Sequence, residues 1–566
     1  MKLTGSKILL ECLLQECVDT IFGYPGGTVI NIYDDLMDSP DKHILTRHEQ
    51  AAVHAADGYA RATGKVGVAI ATSGPGATNT ITGIATAYMD SIPMVVITGQ
   101  VPTPLIGNDA FQEADVIGLT RPITKHNYLV RDIKDLAMTV KKAFYIARTG
   151  RPGPVVIDLP KDVQIASAKF EYPESVELRG YKPTFSGNMR MIDKAAKMIL
   201  SAKKPVLYVG GGASLTDAHS ELLELAEMLQ APVTTTLMGM ASFPTRHDLS
   251  LGMLGMHGTY YANMAVTDSD LLVALGARFD DRVTGKIATF APHAKVIHVD
   301  IDPTSIKKNV RVDLPIVGDL RDVLRKLNKQ LAEKQDELEL MRDALKPWHD
   351  EIAGWRKDHP MTYKASKTEI KPQLVVEKLR ELSNDDAIVT TEVGQHQMWT
   401  AQFFDFTQPR TFLSSGGLGT MGYGLPAALG AQAAFPDRQV IDISGDGSFQ
   451  MNSQELATLV QYRLPVKIVI LNNNFLGMVR QWQQLFFDKR YSQTCMELPI
   501  DFVKLAEAYG ATGLRATKPD QVEDVIRQAF ETPGPVIMEF KISREENVMP
   551  MVPAGAGINE MLLRTA

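Results

Sequence analysis

The sequence predicts an α/β protein with three doubly wound, parallel-sheet domains. The chain has 566 residues, too many for one core at about 150 residues per domain. Short runs of apolar and β-branched residues alternate with longer helical patterns, which is typical of buried parallel strands in βαβ units. The predicted strands are residues 66–71, 94–98, 155–159, 206–209, 271–275, 296–299, 440–443, 466–471 and 536–540.

Two polar stretches divide the chain. Residues 171–187 carry scattered Pro and Gly, and residues 325–371 are dense in charged side chains, with a helical first half and breaks at Pro360 and Pro372. We therefore predict an N-terminal domain over 1–180, a Rossmann-like middle domain over 188–345 and a C-terminal domain with a tail over 368–566.

The composition excludes several classes of protein. Hydrophobic residues make up 45% and charged residues 22% of the chain, which is the balance of a globular and not of a disordered protein. The net charge of −7 argues against nucleic acid as a partner. Two uncharged runs, 66–89 and 411–436, are interrupted by Gly, Pro and polar residues, so we expect no membrane insertion. The three cysteines and an amphipathic first helix without a signal-peptide pattern favour the cytoplasm.

The first and third parts of the chain look like copies of one domain. Ser73-Gly74-Pro75-Gly76 and Ser444-Gly445-Asp446-Gly447 each follow a predicted strand and precede a helical stretch and a further strand. The register agrees within one residue over some 25 positions, which predicts an internal duplication, although any two strand-turn-helix units share these features. Pro75 stands where the third part has Asp446, so only one copy has a carboxylate in this turn.

Asp446 and Asn473 form a candidate metal site. Each follows a predicted strand, and the carboxyl ends of neighbouring parallel strands lie at one edge of a sheet. A carboxylate, an amide oxygen and a main-chain carbonyl suit Mg²⁺, which commonly completes its shell with phosphate oxygens. A glycine turn with an Asp usually only caps a helix. The Asn 27 residues further on favours a Mg²⁺ site that holds a diphosphate.

Gly445-Asp446-Gly447, 24 intervening residues and Asn472-Asn473 resemble the motif of the thiamine diphosphate enzymes. The resemblance implies that the first domain holds the pyrimidine ring and the third the diphosphate. It places Asp446, Asn473 and the main-chain carbonyl of Phe475 around Mg²⁺, although relatives often have His or Glu in place of Phe475. Further cofactor contacts are implied for Val393, Gly394, Gln395, His396, Gly445, Gly447, Ser448, Gly477 and Met478.

Glu49 is the candidate acid–base residue. Thiamine diphosphate enzymes use a Glu that hydrogen-bonds the pyrimidine and promotes proton transfer within the cofactor. Arg47-His48-Glu49-Gln50 precedes a helical stretch at the place where the family pattern has this Glu. Without the resemblance, Glu49 is explained as an acidic residue at the positive end of a helix.

Residues 417–422 match the dinucleotide pattern Gly-x-Gly-x-x-Gly, but they lack a clear preceding strand, and a lone match is weak. The resemblance implies instead that the Gly419 carbonyl meets the pyrimidine amino group and that Met421 is the apolar wedge that bends thiamine. Outside this context, Met421 is explained as an ordinary core residue.

Across nearly its whole length the sequence resembles the acetohydroxyacid synthases, also called acetolactate synthases. The most specific stretches are residues 23–27, 110–113, 124–127, 255–259, 278–282 and 477–482. Such transferases decarboxylate pyruvate on thiamine diphosphate and condense the hydroxyethyl carbanion with pyruvate or 2-ketobutyrate. The products, 2-acetolactate or 2-aceto-2-hydroxybutyrate, lead to branched-chain amino acids. A flavin-dependent pyruvate oxidase and a catabolic acetolactate synthase are the alternatives.

The middle domain bears on these alternatives, because the biosynthetic enzymes hold FAD that performs no net redox chemistry. Without the resemblance, Gly210-Gly211-Gly212 after a predicted strand shows only that a backbone or a ligand approaches closely. Arg278 with its neighbours Asp280 and Asp281 equally suits a surface ion-pair cluster. The implied flavin contacts are Arg151, Gly210, Gly211, Gly212, Met256, His257, Gly276, Arg278, Asp280, Asp281, Asp300 and Asp319.

A third set of residues is implied around the substrates. Gln112 and Gly27 correspond to positions near the reacting carbonyls, where an amide stabilises a developing alkoxide, and Phe111 offers an apolar wall. Trp482 corresponds to the residue that makes the family's enzymes select 2-ketobutyrate as the second substrate. One additional methylene contributes only about 1–3 kcal/mol of binding free energy, which limits this selectivity. Lys161, alternatively a solvated loop charge, lines the substrate and herbicide channel in the family together with Pro102, Lys125 and Ala554.

Glu49 and Asp446 are 397 residues apart, and their spacing leaves open whether they meet within one chain. The resemblance implies that they meet across the interface of a homodimer, alone or within a tetramer. It also implies a separate small regulatory subunit that binds valine.

Overall fold

The computed structural model describes residues 2–496 and 500–563. Its strands form three six-stranded parallel sheets, one in each part of the chain, and a two-stranded antiparallel pair of β1 (Lys2–Thr4) with β8 (Ser167–Lys169). Each of the nine predicted strands coincides with an observed strand. The α/β class with three parallel sheets is therefore confirmed.

The N-terminal sheet has the strand order β3-β2-β4-β5-β7-β6. Between β1 and β8 the elements are α1 (Gly5–Gln15), β2 (Thr20–Gly23), α2 (Ile30–Leu36), β3 (Lys42–Leu45), α3 (Glu49–Thr63), β4 (Gly67–Ala71), α4 (Pro75–Asn79), α5 (Ile81–Asp90), β5 (Met94–Gln100), α6 (Val116–Thr120), β6 (His126–Leu129), α7 (Leu136–Arg148), β7 (Pro154–Pro160) and α8 (Lys161–Ile165).

The middle sheet has the order β11-β10-β9-β12-β13-β14. This is the Rossmann order, with a topological switch point between the first and fourth strands of the sheet, here β9 and β12. The elements are α9 (Met189–Leu200), β9 (Pro205–Val209), α10 (Gly212–Leu215), α11 (His219–Leu229), β10 (Val233–Thr235), β11 (Ser250–Met253), α12 (Tyr260–Asp268), β12 (Leu271–Leu275), α13 (Asp281–Thr284), β13 (Lys295–Asp300), β14 (Leu314–Val317), α14 (Leu320–Ala332) and α15 (Gln335–Asp358).

Helix α15 contains residue 345, where we predicted the end of the middle domain. Leu345 lies in one hydrophobic cluster of the middle domain, and Trp348 and Ile352 lie in another. The charged stretch predicted as a connector is thus largely helical and packs on the middle domain, because its buried face carries these apolar residues.

The C-terminal sheet has the order β16-β15-β17-β18-β20-β19. This order matches the N-terminal sheet strand for strand, so the duplication is confirmed. The elements are α16 (Pro372–Leu382), β15 (Ile388–Thr391), α17 (Gln395–Phe403), β16 (Phe412–Leu413), α18 (Gly424–Ala434), β17 (Val440–Gly445), α19 (Asp446–Phe449), α20 (Leu456–Gln461), β18 (Lys467–Asn472), α21 (Gly477–Phe486), α22 (Phe502–Tyr509), β19 (Thr512–Ala516), α23 (Val522–Glu531) and β20 (Val536–Lys541).

The N-terminal and C-terminal domains pack through α3 and α18. A Cβ atom on Gly58 would lie 2.2 Å from the Ala427 carbonyl oxygen, and one on Gly430 would lie 1.9 Å from the Ala55 carbonyl oxygen. Only glycine lets the two helix backbones approach this closely. The contact holds α3 against the C-terminal domain and thereby fixes the position of Glu49 at its first turn.

In the described ranges, the structure contains no helix that is both long and apolar enough to cross a lipid bilayer.

Candidate active site

Asp446 and Asn473 lie at the ends of neighbouring strands, as predicted. Strands β17 and β18 pair in parallel with Gly445 opposite Leu471. Asp446 begins α19 and is buried, and burial raises the pKa of its carboxyl to about 7. A buried carboxylate is costly to ionise unless a cation lies beside it. The donor set of Asp446, the Asn473 amide and the nearby Phe475 main chain therefore fits a divalent cation.

Short-range contacts hold the Asn473 side chain. Its Oδ1 accepts a hydrogen bond of 2.9 Å from the Phe475 main-chain N–H, and its Nδ2 donates to Gln395 Oε1 at 3.3 Å. The Gln395 amide in turn donates to Gln481 Oε1 at 2.9 Å and to the Glu546 carbonyl at 3.0 Å. In this chain Gln395 therefore orients Asn473, and its direct contact to a diphosphate stays a prediction.

His396 lies between the two glycine turns of this sheet edge. A Cβ atom on Gly394 would lie 2.8 Å from its Cε1 atom, and one on Gly445 would lie 2.7 Å from its Nδ1 atom. Burial lowers the pKa of His396 to about 3, so the imidazole is neutral, and its buried Nε2 has no hydrogen-bond partner among the residues that the structure describes. A polar ligand such as a diphosphate would supply a partner for this atom.

The buried carboxylate of Glu392 binds the main chain of the loop that carries Gly419 and Met421. Glu392 accepts hydrogen bonds from the main-chain N–H groups of Gly422 at 2.5 Å and Gly424 at 3.0 Å. Burial, with Asp442 close by, raises the pKa of Glu392 well above its usual range. Glu392 follows a strand directly, which was the only sequence signal for it, and we did not predict its role.

A cavity of about 1110 Å³ extends from this loop into the middle domain. It crosses the switch point between β9 and β12, where open α/β sheets bind ligands. Its volume exceeds that of a typical small-molecule pocket and suits an extended ligand. The predicted residues that line it are Arg151, Gly210, Gly211, Gly212, Met256, His257, Gly276, Arg278, Asp280, Asp300, Asp319, Val393, Gly394, Gly419, Met421, Met478 and Trp482.

Close packing of two loops explains why Gly210, Gly212 and Gly276 at the switch point are glycines. A Cβ atom on Gly210 would lie 2.3 Å from the Gly276 carbonyl oxygen, and one on Gly212 would lie 2.8 Å from the Gly276 Cα atom. The two strand-end loops therefore touch, and side chains there would push them apart. Asp281, by contrast, is exposed beside Arg282 and lies outside the cavity lining, so its flavin contact stays a prediction.

The N-terminal candidates form a second group around the 73–76 loop. Glu49 is buried at the start of α3, and a Cβ atom on Gly76 would lie 3.2 Å from its Oε1 atom. Gln112, which has a φ of +60°, lies over the same loop, 2.8 Å from a Cβ atom on Gly74. Lys161 Nζ donates to the Gly27 carbonyl at 3.1 Å.

None of these N-terminal candidates belongs to the cavity lining within the described part of the chain. Phe111 beside them is 86% exposed. The structure thus brings each group together separately, one around the 73–76 loop and one along the cavity, and does not join the two groups within one copy.

Lys125 has a structural role that we did not predict. Its ammonium group donates to the carbonyl of Thr149 at 2.7 Å, to Tyr181 Oη at 3.0 Å and to the Ile146 carbonyl, at the C-terminal end of α7. Burial lowers the pKa of Lys125 to about 7. Lys125, Pro102 and Ala554 lie outside the cavity lining, and their place in a substrate channel stays a prediction.

Comparison with known proteins finds three family matches along the chain. Models of the thiamine pyrophosphate enzymes match residues 3–119 as the N-terminal TPP binding domain, 192–327 as the central domain and 392–540 as the C-terminal TPP binding domain. Together these matches cover more than half of the chain.

Curated relatives match over the full length. The chain is 50% identical to the acetolactate synthase isozyme 3 large subunit of Escherichia coli K12, over 99% of this chain and 98% of the relative. It is 50% identical to the acetolactate synthase large subunit of Haemophilus influenzae, with the same coverage. It is also 50% identical to the probable acetolactate synthase large subunit of Methanocaldococcus jannaschii, over 99% of this chain and 95% of the relative. The chain therefore belongs to the thiamine pyrophosphate enzymes and, among them, to the family of acetolactate synthase large subunits.

Proposed function

We propose that the chain converts two molecules of pyruvate to 2-acetolactate and CO₂, and pyruvate with 2-ketobutyrate to 2-aceto-2-hydroxybutyrate and CO₂. The observation that carries this proposal is the placement of Asp446 and Asn473 at adjacent strand ends, in a family member that also has Glu49 at the start of α3. The names of the relatives favour this reaction over that of a pyruvate oxidase.

The residues at the C-terminal sheet edge would hold thiamine diphosphate and Mg²⁺. Thiamine diphosphate, when bound, supplies the carbon nucleophile and the electron sink for decarboxylation and carbon–carbon bond formation. Asp446, Asn473 and the Phe475 carbonyl would bind Mg²⁺, and His396 would meet a diphosphate oxygen. Met421 and Gly419, on the loop fixed by Glu392, would orient the thiamine rings.

Glu49 would hold the catalytic proton. Its carboxylate is buried, and Asn79 Nδ2 donates to Glu49 Oε2 at 2.9 Å, which fixes the orientation of the carboxyl group. The other oxygen, Oε1, would then exchange a proton with a pyrimidine nitrogen. Near the same loop, the Gln112 amide would hydrogen-bond the reacting carbonyl, and the Phe111 ring would exclude water.

Trp482 would select the second substrate. It lines the cavity, with its ring 5.9 Å from that of Phe486 and with the Arg282 guanidinium 6.0 Å from its centroid. Its apolar face would pack on the additional methyl group of 2-ketobutyrate.

FAD would occupy the cavity at the switch point. The loops of Gly210–212 and Gly276 form the crevice, and Arg278 and Arg151 are cations in its wall that suit phosphate groups. Burial lowers the pKa of His257, also in the wall, to about 4, so this residue is neutral. We propose that the flavin there carries out no net redox chemistry.

Two copies of the chain would complete the active site. The Glu49 group and the cavity group do not join within one copy, and large apolar side chains are exposed around the Glu49 group: Tyr24 is 40%, Ile30 59% and Phe111 86% exposed. Exposed apolar patches of this kind mark interaction surfaces. A homodimer, alone or within a tetramer, would cover them and bring Glu49 of one copy to the cavity of the other.

A small regulatory subunit is a further proposed partner, because the relatives are named large subunits. Valine would act through that subunit. The proposed location is the cytoplasm.

Purified protein supplied with pyruvate, Mg²⁺ and thiamine diphosphate tests the proposal. We expect 2-acetolactate as the product, with one CO₂ released for two pyruvate molecules consumed. Acetate or acetyl phosphate as the main product would contradict it.

A further inference from the structure

Asp90 is a buried acid at the last residue of α5, and its carboxylate is fully shielded from solvent. A negative charge is unfavourable at the C-terminal end of a helix, where the main-chain carbonyls already carry partial negative charge. Burial adds a further cost unless the carboxylate is paired and hydrogen-bonded. Helix stability therefore does not explain why an acid stands at this position. The contacts of the Asp90 carboxylate explain it.

The Asp90 carboxylate holds the main chain of the C-terminal domain. Its Oδ1 accepts a hydrogen bond of 2.7 Å from the Gly417 N–H, and its Oδ2 accepts one of 3.2 Å from the Gly416 N–H. These two glycines precede Gly419 and Met421 in the same loop, and Gly419 and Met421 line the cavity. Asp90 thus contacts, from the N-terminal domain, the loop that forms the thiamine side of the site, which Thr86 Oγ1 also contacts through a hydrogen bond of 2.7 Å with Thr420 Oγ1.

Arg61 balances the charge of Asp90 and holds the start of the same loop. Its NH2 group donates to Asp90 Oδ2 at 2.9 Å, and its NH1 group donates to the Ser414 carbonyl at 2.9 Å. Its Nε pairs with Asp57 Oδ1 at 2.5 Å, and Asp57 also accepts from Tyr423 Oη at 2.7 Å. Asp57 belongs to the same buried cluster, but its side chain does not touch the main chain of residues 414–419 in the contacts described.

The middle domain meets the same helix end. Arg278 NH1 of the middle domain donates to the Met89 carbonyl at 2.5 Å, and Arg151 Nε, within the N-terminal domain, donates to Ser91 Oγ at 2.8 Å. A Cβ atom on Gly417 would lie 2.8 Å from Asp90 Oδ1 and 3.1 Å from Arg278 NH2. Gly417 is therefore enclosed between Asp90 and a residue of the proposed flavin site, and a larger residue would displace the loop.

We propose that Asp90 is a positioning residue, which fixes the main chain of Gly416 and Gly417 so that the following residues present Gly419 and Met421 to the cavity. This inference rests on the proposed function, because the loop matters for catalysis only if thiamine diphosphate binds beneath it. Asp90 acts through the loop and does not itself contact a reacting atom.

The test compares Asp90→Asn with Asp57→Asn, two isosteric variants that each remove one carboxylate from the same buried cluster. Hydrogen exchange of residues 414–422, followed by mass spectrometry on the protein as purified, reports on the loop without any reaction. We expect exchange about tenfold faster in Asp90→Asn, because Asn offers one acceptor oxygen instead of two, and little change in Asp57→Asn. Melting temperatures should fall in both variants.

Steady-state kinetics provide the second measurement. We expect Asp90→Asn to lower kcat about 10- to 100-fold with a much smaller change in KM for pyruvate, since a misplaced loop costs catalysis more than substrate binding. Asp57→Asn should keep most of the wild-type kcat. If Asp90→Asn does not fold, Gly417→Ala replaces it, because that variant displaces the same loop and leaves the charges in place.

A folded Asp90→Asn protein with wild-type loop exchange and wild-type kcat would overturn the inference, and so would equal losses in the two Asn variants. A wild-type protein that makes no acetolactate would instead contradict the proposed function. The two failures are distinguishable, because the exchange measurement needs no turnover.

Discussion

Asn79 and Glu49 form a hydrogen bond of 2.9 Å that joins the end of α4 to the start of α3. Both elements belong to the N-terminal copy of the duplicated domain. The bond occupies one carboxylate oxygen of Glu49 and leaves the other beside Gly76, where only a glycine leaves room. The geometry therefore orients an acid from α3 beside the 73–76 turn, which corresponds to residues 444–447 of the other copy.

Replacement of Glu49 by Gln should remove proton transfer and leave the fold intact. Gln keeps an oxygen that accepts from Asn79 but has no exchangeable carboxyl proton. We expect kcat to fall about 10²- to 10⁴-fold, with a melting temperature close to that of the wild type. Acetolactate formation and thermal unfolding measure the two effects. Glu227→Gln on the surface is the matched control, and wild-type activity in Glu49→Gln would refute the role of Glu49.

Replacement of Asp446 by Ala should remove the metal site. We expect binding of thiamine diphosphate in the presence of Mg²⁺ to weaken by at least about 100-fold, because the proposed ligand set of Asp446, Asn473 and Phe475 loses its carboxylate. Fluorescence titration with and without Mg²⁺ measures this binding. The surface variant Asp501→Ala should bind as the wild type does. An unchanged Mg²⁺ requirement in Asp446→Ala would show that the metal lies elsewhere.

The contact between α3 and α18 should tolerate no side chain at Gly58. Alanine there would place its Cβ atom 2.2 Å from the Ala427 carbonyl oxygen, so the helices must separate. We expect Gly58→Ala to destabilise the protein by about 1–3 kcal/mol or more. Gly354 lies inside α15 with open space around its Cβ position, so Gly354→Ala should stabilise the helix by about 0.5–1 kcal/mol. Thermal unfolding of both variants checks this, and equal effects would contradict the packing argument.

Asp158 should make the protein less stable as the pH rises. Burial raises the pKa of this carboxyl from 3.8 to about 7, despite hydrogen bonds from Gln100 and Thr98. Because the folded-state pKa is the higher one, the favourable contribution of the protonated form is complete below pH 3.8 and is lost as the pH rises towards about 7.

The variant Asp158→Asn does not titrate. The melting temperature of this variant should therefore fall less between pH 5 and pH 8 than that of the wild type. Differential scanning calorimetry at several pH values measures the difference. Parallel pH profiles of the two proteins would contradict the assignment.

The sequence alone was sufficient to predict those parts of the site that depend on the order of strands and turns along the chain. Strand ends carry Asp446 and Asn473, and the parallel sheet brings neighbouring strand ends together, so their pairing followed from spacing alone. The duplication was visible for the same reason, because each copy repeats one strand-turn-helix unit.

Contacts between distant segments were not predictable in this way. Asp90 reaches Gly416 and Gly417 only because α3 and α18 dock the two domains, and no local pattern reports that docking. Charged residues at i and i+4 inside an apolar helix, such as Asp57 and Arg61, were the one available signal of this cluster. The bonds by which the Lys125 ammonium group caps α7 were not predicted either, because side-chain direction depends on the surrounding fold, and its place in a substrate channel stays a prediction.

The most direct test of the central claim is product analysis with equal concentrations of pyruvate and 2-ketobutyrate, in the presence of thiamine diphosphate, Mg²⁺ and FAD, while flavin absorbance is followed anaerobically. The account predicts 2-aceto-2-hydroxybutyrate and 2-acetolactate, with the flavin oxidised throughout. Acetate or acetyl phosphate as product, formed in step with bleaching of the flavin, would contradict it.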